Sequence, residues 1–294
     1  MATAFHFKLG TFACMAIPDN DKLEPITEMI AADVPPAELS AVRHELGYPS
    51  DDLEVGYNCL LVNTGEQRVL VDTGTGRGQL LSQLQASGLE PADIDTIVLT
   101  HGDGDHIGGI LNEQDQPVFP NARYVLWHAA WRLWTEPDTR SHLVEQYLDL
   151  MRKRGVSGDD LDRMAAGRAA YGTRTLPLIK DRVDLVELDT EFLPGFQVID
   201  ATGHRTDQVA LTITSDGDRL LHVVDAIRHP IQMAHPEWYG ALDSFPEETV
   251  AARRRLLERA AADKALIFGA HLTFPGLGYV SQQGSSWRWR AFES

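Results

Sequence analysis

Residues 100–109 read Thr-His-Gly-Asp-Gly-Asp-His-Ile-Gly-Gly. Four side chains able to bind a metal ion, His101, Asp103, Asp105 and His106, fall within six residues of one another. The apolar run Asp95 to Leu99 before them reads as a buried strand, so several of these groups can converge on one point as the chain turns off its carboxyl end. Imidazole nitrogen and carboxylate oxygen together suit zinc, and also manganese or iron. The interleaved glycines let the backbone turn without Cβ clashes. A bound metal ion lowers the pKa of its water from about 15.7 toward roughly 7, giving hydroxide that attacks a carbonyl carbon or a phosphorus at neutral pH. A solvated Gly/Asp turn has the same look, so this fragment by itself leaves both readings open.

Further segments carry matching residue types. Asp72 ends the run Val-Leu-Val-Asp-Thr-Gly, and His204 follows Thr202-Gly203. Asp225 ends Leu-Leu-His-Val-Val-Asp, and His271 lies in Phe-Gly-Ala-His-Leu-Thr-Phe-Pro-Gly-Leu-Gly. In this order the segments resemble the five motifs of the metallo-β-lactamase superfamily, whose signature H-x-H-x-D-H here reads H-x-D-x-D-H. The resemblance implies an α/β fold, an αββα sandwich of two packed mixed sheets with helices on the outer faces. It implies a first metal site of His101, Asp103 and His204, a second of Asp105, His106 and His271, and Asp225 shared between them. It gives Asp72 the task of orienting a ligand histidine through its ring N–H. The implied cofactors are two divalent metal ions, zinc first, with manganese or iron as alternatives.

Asp103 stands where the family has its second histidine. As a ligand it makes the pair more anionic and harder, favouring manganese or iron over zinc relative to a histidine; pointing to solvent, it leaves a weak first site. Flavodiiron proteins of the same superfamily carry a glutamate there, which keeps a di-iron, oxygenase-like redox protein as the alternative function. Gln208 replaces a histidine that is not a ligand in dinuclear lactonase-like members.

The carboxyl-terminal region is similar to the branch holding methyl parathion hydrolase and N-acyl homoserine lactonases. The similarity runs through Asp225-Ala226-Ile227-Arg228-His229-Pro230, His235-Pro236-Glu237-Trp238, Ala252 to Leu257 and His271 to Gly278. It implies a quorum-quenching type of hydrolase that opens a lactone or cleaves a related ester or phosphotriester. Asp105 and Asp225 are the expected catalytic carboxylates, Asp105 passing a proton to the leaving alkoxide. Arg228 and His229 are candidate substrate contacts, with a surface pair as the plain alternative. The tryptophans Trp127, Trp131 and Trp134 read first as core. No G-x-S-x-G context supports a serine nucleophile.

The elements that must hold these groups fit one domain over residues 1–294. Short apolar strands occur in two runs interleaved with helices, the pattern of two packed sheets with helices outside. The charged stretch near 135–180 is expected to be a helical insertion that caps the site. Net charge is -17. Such a surface repels phosphate backbones and anionic lipid, so the expected partner is a small-molecule substrate, with no nucleic acid and no membrane. A homodimer is an open alternative to a monomer. The beginning of the chain lacks a basic segment followed by a long apolar run, so the expectation is a soluble, cytoplasmic protein. Cys14 and Cys59 lie outside any C-x-x-C pattern and read as core thiols.

Overall fold

The structure, a computed structural model, describes residues 2–48, 50–153, 155, 157–159, 162–163 and 172–293. Strand alternation builds two sheets. The first is β1 (Phe5–Leu9), β2 (Phe12–Pro25), β3 (Asp52–Asn63), β4 (Arg68–Val71), β5 (Thr96–Leu99), β6 (Arg123–Trp127) and β7 (Val183–Val186), side by side in that order. The second is β8 (Glu191–Leu193), β9 (Phe196–Asp200), β10 (Val209–Ser215), β11 (Asp218–His222), β12 (Leu266–Phe268), β13 (Leu277–Gln283) and β14 (Ser286–Ala291), again in sequence order. Strands β4 to β7 are parallel, as are β11 and β12; the remaining neighbours are antiparallel.

Period-two side-chain alternation divides each strand between two cores. Along β3, Leu60 and Val62 enter the layer between the sheets, while Cys59 and Leu61 face the outer helices. Strand β5 repeats this, with Val98 inward and Ile97 and Leu99 outward. Across the layer, Val209, Leu211 and Ile213 of β10 and Phe268 of β12 meet the first sheet. Truncating the fully buried Phe268 to alanine should cost about 3–5 kcal/mol, the lost transfer energy plus a cavity. The helices Leu80–Ala86 and His128–Thr135 cover the first sheet's outer face with Leu80, Leu84, Ala130 and Leu133. The helix Pro246–Asp263 covers the second with Leu256, Leu257 and Ala260. It starts with Pro246 in its first turn beside Glu247 and Glu248, residues that suit an N-terminus. This is the αββα arrangement expected.

Strand β11 stops at His222, before Val224 takes φ 44° and turns the chain. The terminal hairpin β13–β14 was not anticipated; its alternation is masked by Gly, Ser and Gln. Cys14 and Cys59 are free thiols buried on opposite faces of the first sheet, which suits the core role. The stretch near 135–180 opens as a helix, Pro137–Lys153, but much of 154–171 lies outside the described residues. Among the described residues no helix is long and apolar enough to cross a membrane.

Candidate metal centre

Strand direction brings the candidate ligands to one edge. Strands β4 and β5 are parallel, so Asp72 and His101 leave them on the same side. Strand β9 is antiparallel to β10, and β10 to β11, while β12 is parallel to β11. Strands β9, β11 and β12 therefore end together, delivering His204, Asp225 and His271. Two of these exits are tight turns in non-glycine residues, Asp72 at φ 60° and Val224 at φ 44°. Left-handed backbone is uncommon outside glycine and most so for a β-branched residue, a cost tolerated where the fold needs the geometry.

The side chains gather as two adjoining triplets, His101 with His204 and Asp225, and Asp105 with His106 and His271; within each, the ligand atoms lie within 4.8 Å of one another. The Asp225 carboxylate joins them. Its Oδ1 is 3.1 Å from His106 Nε2, and its Oδ2 is 3.1 Å from His271 Nε2 and 3.4 Å from His204 Nε2. Asp105 Oδ2 lies 3.5 Å from His271 Nε2 and 3.7 Å from His106 Nε2, and its side chain is 30% exposed where most of the others are buried.

Each histidine turns Nε2 inward because a partner engages Nδ1. His106 Nδ1 donates to Asp72 Oδ2 at 2.7 Å. His204 Nδ1 donates to Asp243 Oδ1 at 2.8 Å, and His271 Nδ1 to the Gly56 carbonyl at 3.0 Å. The Thr100 hydroxyl donates to Asp72 Oδ2 at 2.7 Å and stands 3.2 Å from His101 Nδ1, which it can serve as acceptor. The ordering of a ligand imidazole by a carboxylate or carbonyl on its far nitrogen is characteristic of metal sites. The inward atoms also fit a cation. Among the described residues, His101 Nε2, His106 Nε2 and Asp225 Oδ1 are buried and make no hydrogen bond of good geometry, the 3.1 Å approach of the last two being misaligned, a costly state unless a metal satisfies them.

The electrostatics agree. Burial alone would raise the Asp225 carboxyl, yet His271, His106 and His204 hold it well below the usual carboxylate range. Burial alone would lower His204, but Asp225, Asp103 and Asp243 outweigh it and keep the imidazole at about 9. His106 is likewise raised against burial by Asp225, Asp105 and Asp72. The field at the centre of the cluster favours positive charge, whether protons or divalent cations.

The structure thus brings together His101, Asp105, His106, His204, Asp225 and His271, with Asp72 placed to orient His106. Asp103 adjoins the first triplet. Its Oδ2 is 3.4 Å from His204 Nε2 and 3.7 Å from His101 Nε2, and both its oxygens also pair with the Arg205 guanidinium. Arg228 and His229 are buried, so the surface-pair alternative does not hold. Arg228 is buried and donates to Asp243 Oδ1 at 2.7 Å, so its charge holds the residue that orients His204. His229 is buried, accepts the Ile231 N–H at 3.2 Å and packs edge-on against Tyr48. Gln208 is buried and donates to the Ala201 carbonyl, a structural role.

Thr100, Asp243, Gly56 and Asp207 were missed in the sequence. Thr100 had a signal, since it directly precedes His101. Asp243 and the Gly56 carbonyl had none, lying far from the histidines they orient. Asp207 Oδ2 accepts the Gly102 N–H at 2.9 Å and the Trp134 indole N–H at 2.6 Å. The Trp134 ring lies between Gly102 and Gly172; a Cβ at Gly102 would come within 2.4 Å of it. Trp134 is therefore core, as read, yet it also braces the metal loop.

Residues 53–271 match the family Lactamase_B, the metallo-beta-lactamase superfamily. The chain belongs to this superfamily. Its fold superposes on AidC, a dizinc quorum-quenching lactonase in complex with the product N-hexanoyl-L-homoserine, with TM-score 0.87 and 25% identity over 99% of this chain and 98% of that one. It superposes equally, at TM-score 0.87, on the hydrolase AbOPH of the beta lactamase superfamily, with 22% identity over 100% of this chain and 99% of that one. Among curated sequences, it is 48% identical over 59 residues to the lactamase-like protein adaB of Aspergillus niger, a stretch covering 19% of this chain and 18% of that protein. It is 33% identical over 133 residues to metallo-beta-lactamase domain-containing protein 1 of Xenopus laevis, covering 41% of this chain and 54% of that protein.

Proposed function

We propose that this protein is a dinuclear hydrolase that opens a lactone, an N-acyl homoserine lactone first among candidates, or cleaves a related ester or phosphotriester. The observation that carries this reading is the Asp225 carboxylate, a member of the first triplet whose oxygens also reach His106 and His271 of the second. The full-length similarity to a lactonase supports the substrate class.

His101, Asp103, His204 and Asp225 would hold one divalent cation, zinc first, and Asp105, His106, His271 and Asp225 the other. When bound, the pair supplies a Lewis acid and an activated water at neutral pH. The chain's own residues do the rest. Asp72, Asp243 and the Gly56 carbonyl keep the Nε2 atoms of His106, His204 and His271 inward, so the site is organised before substrate arrives. Asp105, the more exposed carboxylate, would pass a proton to a leaving alkoxide. Tyr57 packs edge-on against His271 and donates to Glu24, limiting water beside the second triplet. Arg205 neutralises Asp103, which removes the charge argument behind a di-iron redox role. The acidic surface suits a small substrate in place of nucleic acid or membrane, in a cytoplasmic setting.

A hydrolysis panel of lactones, aryl esters and phosphotriesters, run with zinc, manganese, cobalt and iron, tests the proposal. Metal-dependent lactone opening, abolished by chelation, is expected. Fully loaded protein inert on every class would overturn it.

A further inference from the structure

Asp103 and Arg205 form a bidentate pair at the edge of the first triplet. Arg205 Nε donates to Asp103 Oδ1 at 2.7 Å, and its Nη2 donates to Asp103 Oδ2. Its Nη1 is spent on the fold, donating to the His204 carbonyl at 2.9 Å, the Leu242 carbonyl at 3.1 Å and the Ser244 hydroxyl at 3.3 Å. The guanidinium is therefore anchored by backbone on one side and presents its fork to Asp103 on the other. Asp103 Oδ2, the oxygen nearer the histidines, is 3.4 Å from His204 Nε2 and 3.7 Å from His101 Nε2. Both side chains are mostly shielded, Asp103 at 17% and Arg205 at 13% exposed.

We infer that Asp103 and Arg205 work as one unit that stands in for a neutral ligand at the first metal site, with Arg205 as the positioning residue. This rests on the dinuclear reading above. A neutral histidine replaced by a carboxylate alone adds one negative charge to a site that already holds Asp225 and Asp105. A carboxylate locked to a guanidinium adds none. The planar fork also fixes the carboxylate's rotation, which a lysine could not do. The pair therefore keeps a first site whose charge suits zinc, and the hard, manganese-favouring character expected of a bare aspartate does not develop. It also makes the two positions interdependent. Histidine at 103 beside an intact Arg205 leaves an unpaired, shielded cation next to the metal, while loss of Arg205 leaves a bare extra carboxylate.

The test is a four-member cycle of wild type, Asp103→His, Arg205→Met and Asp103→His/Arg205→Met, with Arg205→Lys as a fifth variant. Zinc and manganese per chain are measured after dialysis against an equimolar mixture, with zinc affinity from chelator competition and folding from far-ultraviolet circular dichroism. Asp103→His alone should weaken zinc at the first site roughly 10- to 100-fold, the usual effect of losing a partner that supports a ligand. Arg205→Met should raise the manganese share. The double variant should recover zinc binding to within a few-fold of wild type, and Arg205→Lys should fall between Met and wild type. Additive effects in the cycle, or an unchanged zinc-to-manganese ratio in folded Arg205→Met, overturn the inference. If Arg205→Met does not fold, Arg205→Lys and the double variant still decide it, because a purely structural Arg205 would make the double variant worse than Asp103→His. Wild-type protein that binds a single metal, or none, would instead reject the dinuclear reading itself.

Discussion

His204 and Asp243 are joined by a 2.8 Å hydrogen bond from Nδ1 to Oδ1, and the Arg228 guanidinium donates to that same oxygen at 2.7 Å. Asp243 Oδ2 accepts the Gly240 N–H at 2.9 Å, so the carboxylate is fixed on both oxygens. Burial opposes its charge, but Arg228 and His204 draw its pKa down to about 2. Asp243 is thus an anion at any working pH, able to orient His204 and strengthen it as a donor to a metal. Asp243→Asn keeps the shape and removes the charge. Metal affinity at the first triplet should fall roughly 10- to 100-fold with the second less affected. Chelator competition on the folded variant measures this, and unchanged affinity would remove Asp243 from the machinery.

His106→Ala and His271→Ala should each strip the cation from the second triplet and leave the first able to bind. Metal content should drop by about half and hydrolysis should fall by orders of magnitude, because half of the charge stabilisation is gone. Elemental analysis and rates on the same preparation check both. Wild-type rates with full metal content in either variant would falsify the assignment.

Asp105 has two roles in the proposal, ligand and proton carrier, and its exposed position allows them to be separated. Asp105→Asn retains an oxygen donor but cannot deliver a proton. The expected loss in kcat is roughly 100-fold or more on a poor leaving alkoxide. It should be much smaller on an aryl ester, whose phenolate leaves unprotonated. An equal loss on both substrates would point to metal loss alone.

His229 offers a test of stability against pH. Burial depresses its pKa from 6.5 to about 4. Between those values the unfolded chain binds a proton that the native chain does not, so stability falls as pH drops from 6.5 toward 4 and is fully restored above 6.5. The full penalty, reached below pH 4, is about 3 kcal/mol. His229→Asn keeps an acceptor for the Ile231 N–H and removes the titration. Its melting temperature should decline less steeply than wild type over this window, measured on metal-free protein for both. Parallel profiles would show that His229 does not carry the acid sensitivity.

What the sequence determined by itself is local in character. Short apolar runs located β3, β5 and β10, since a strand buried on both faces needs apolar residues throughout. His101, Asp105 and His106 were legible because the cluster occupies a single turn after a buried strand. His204, Asp225 and His271 were legible through the resemblance of their short motifs. Partner choice was decided only by the tertiary structure. Asp103 meets Arg205 across 102 positions, and His204 meets Asp243 across 39. Arg228, read as a surface or substrate residue, is buried with its guanidinium on Asp243, 15 positions away. A charged side chain has no intrinsic address along the chain. Which opposite charge neutralises it depends on where β9, β11 and β12 end in space, and that is set by the packing of the two sheets.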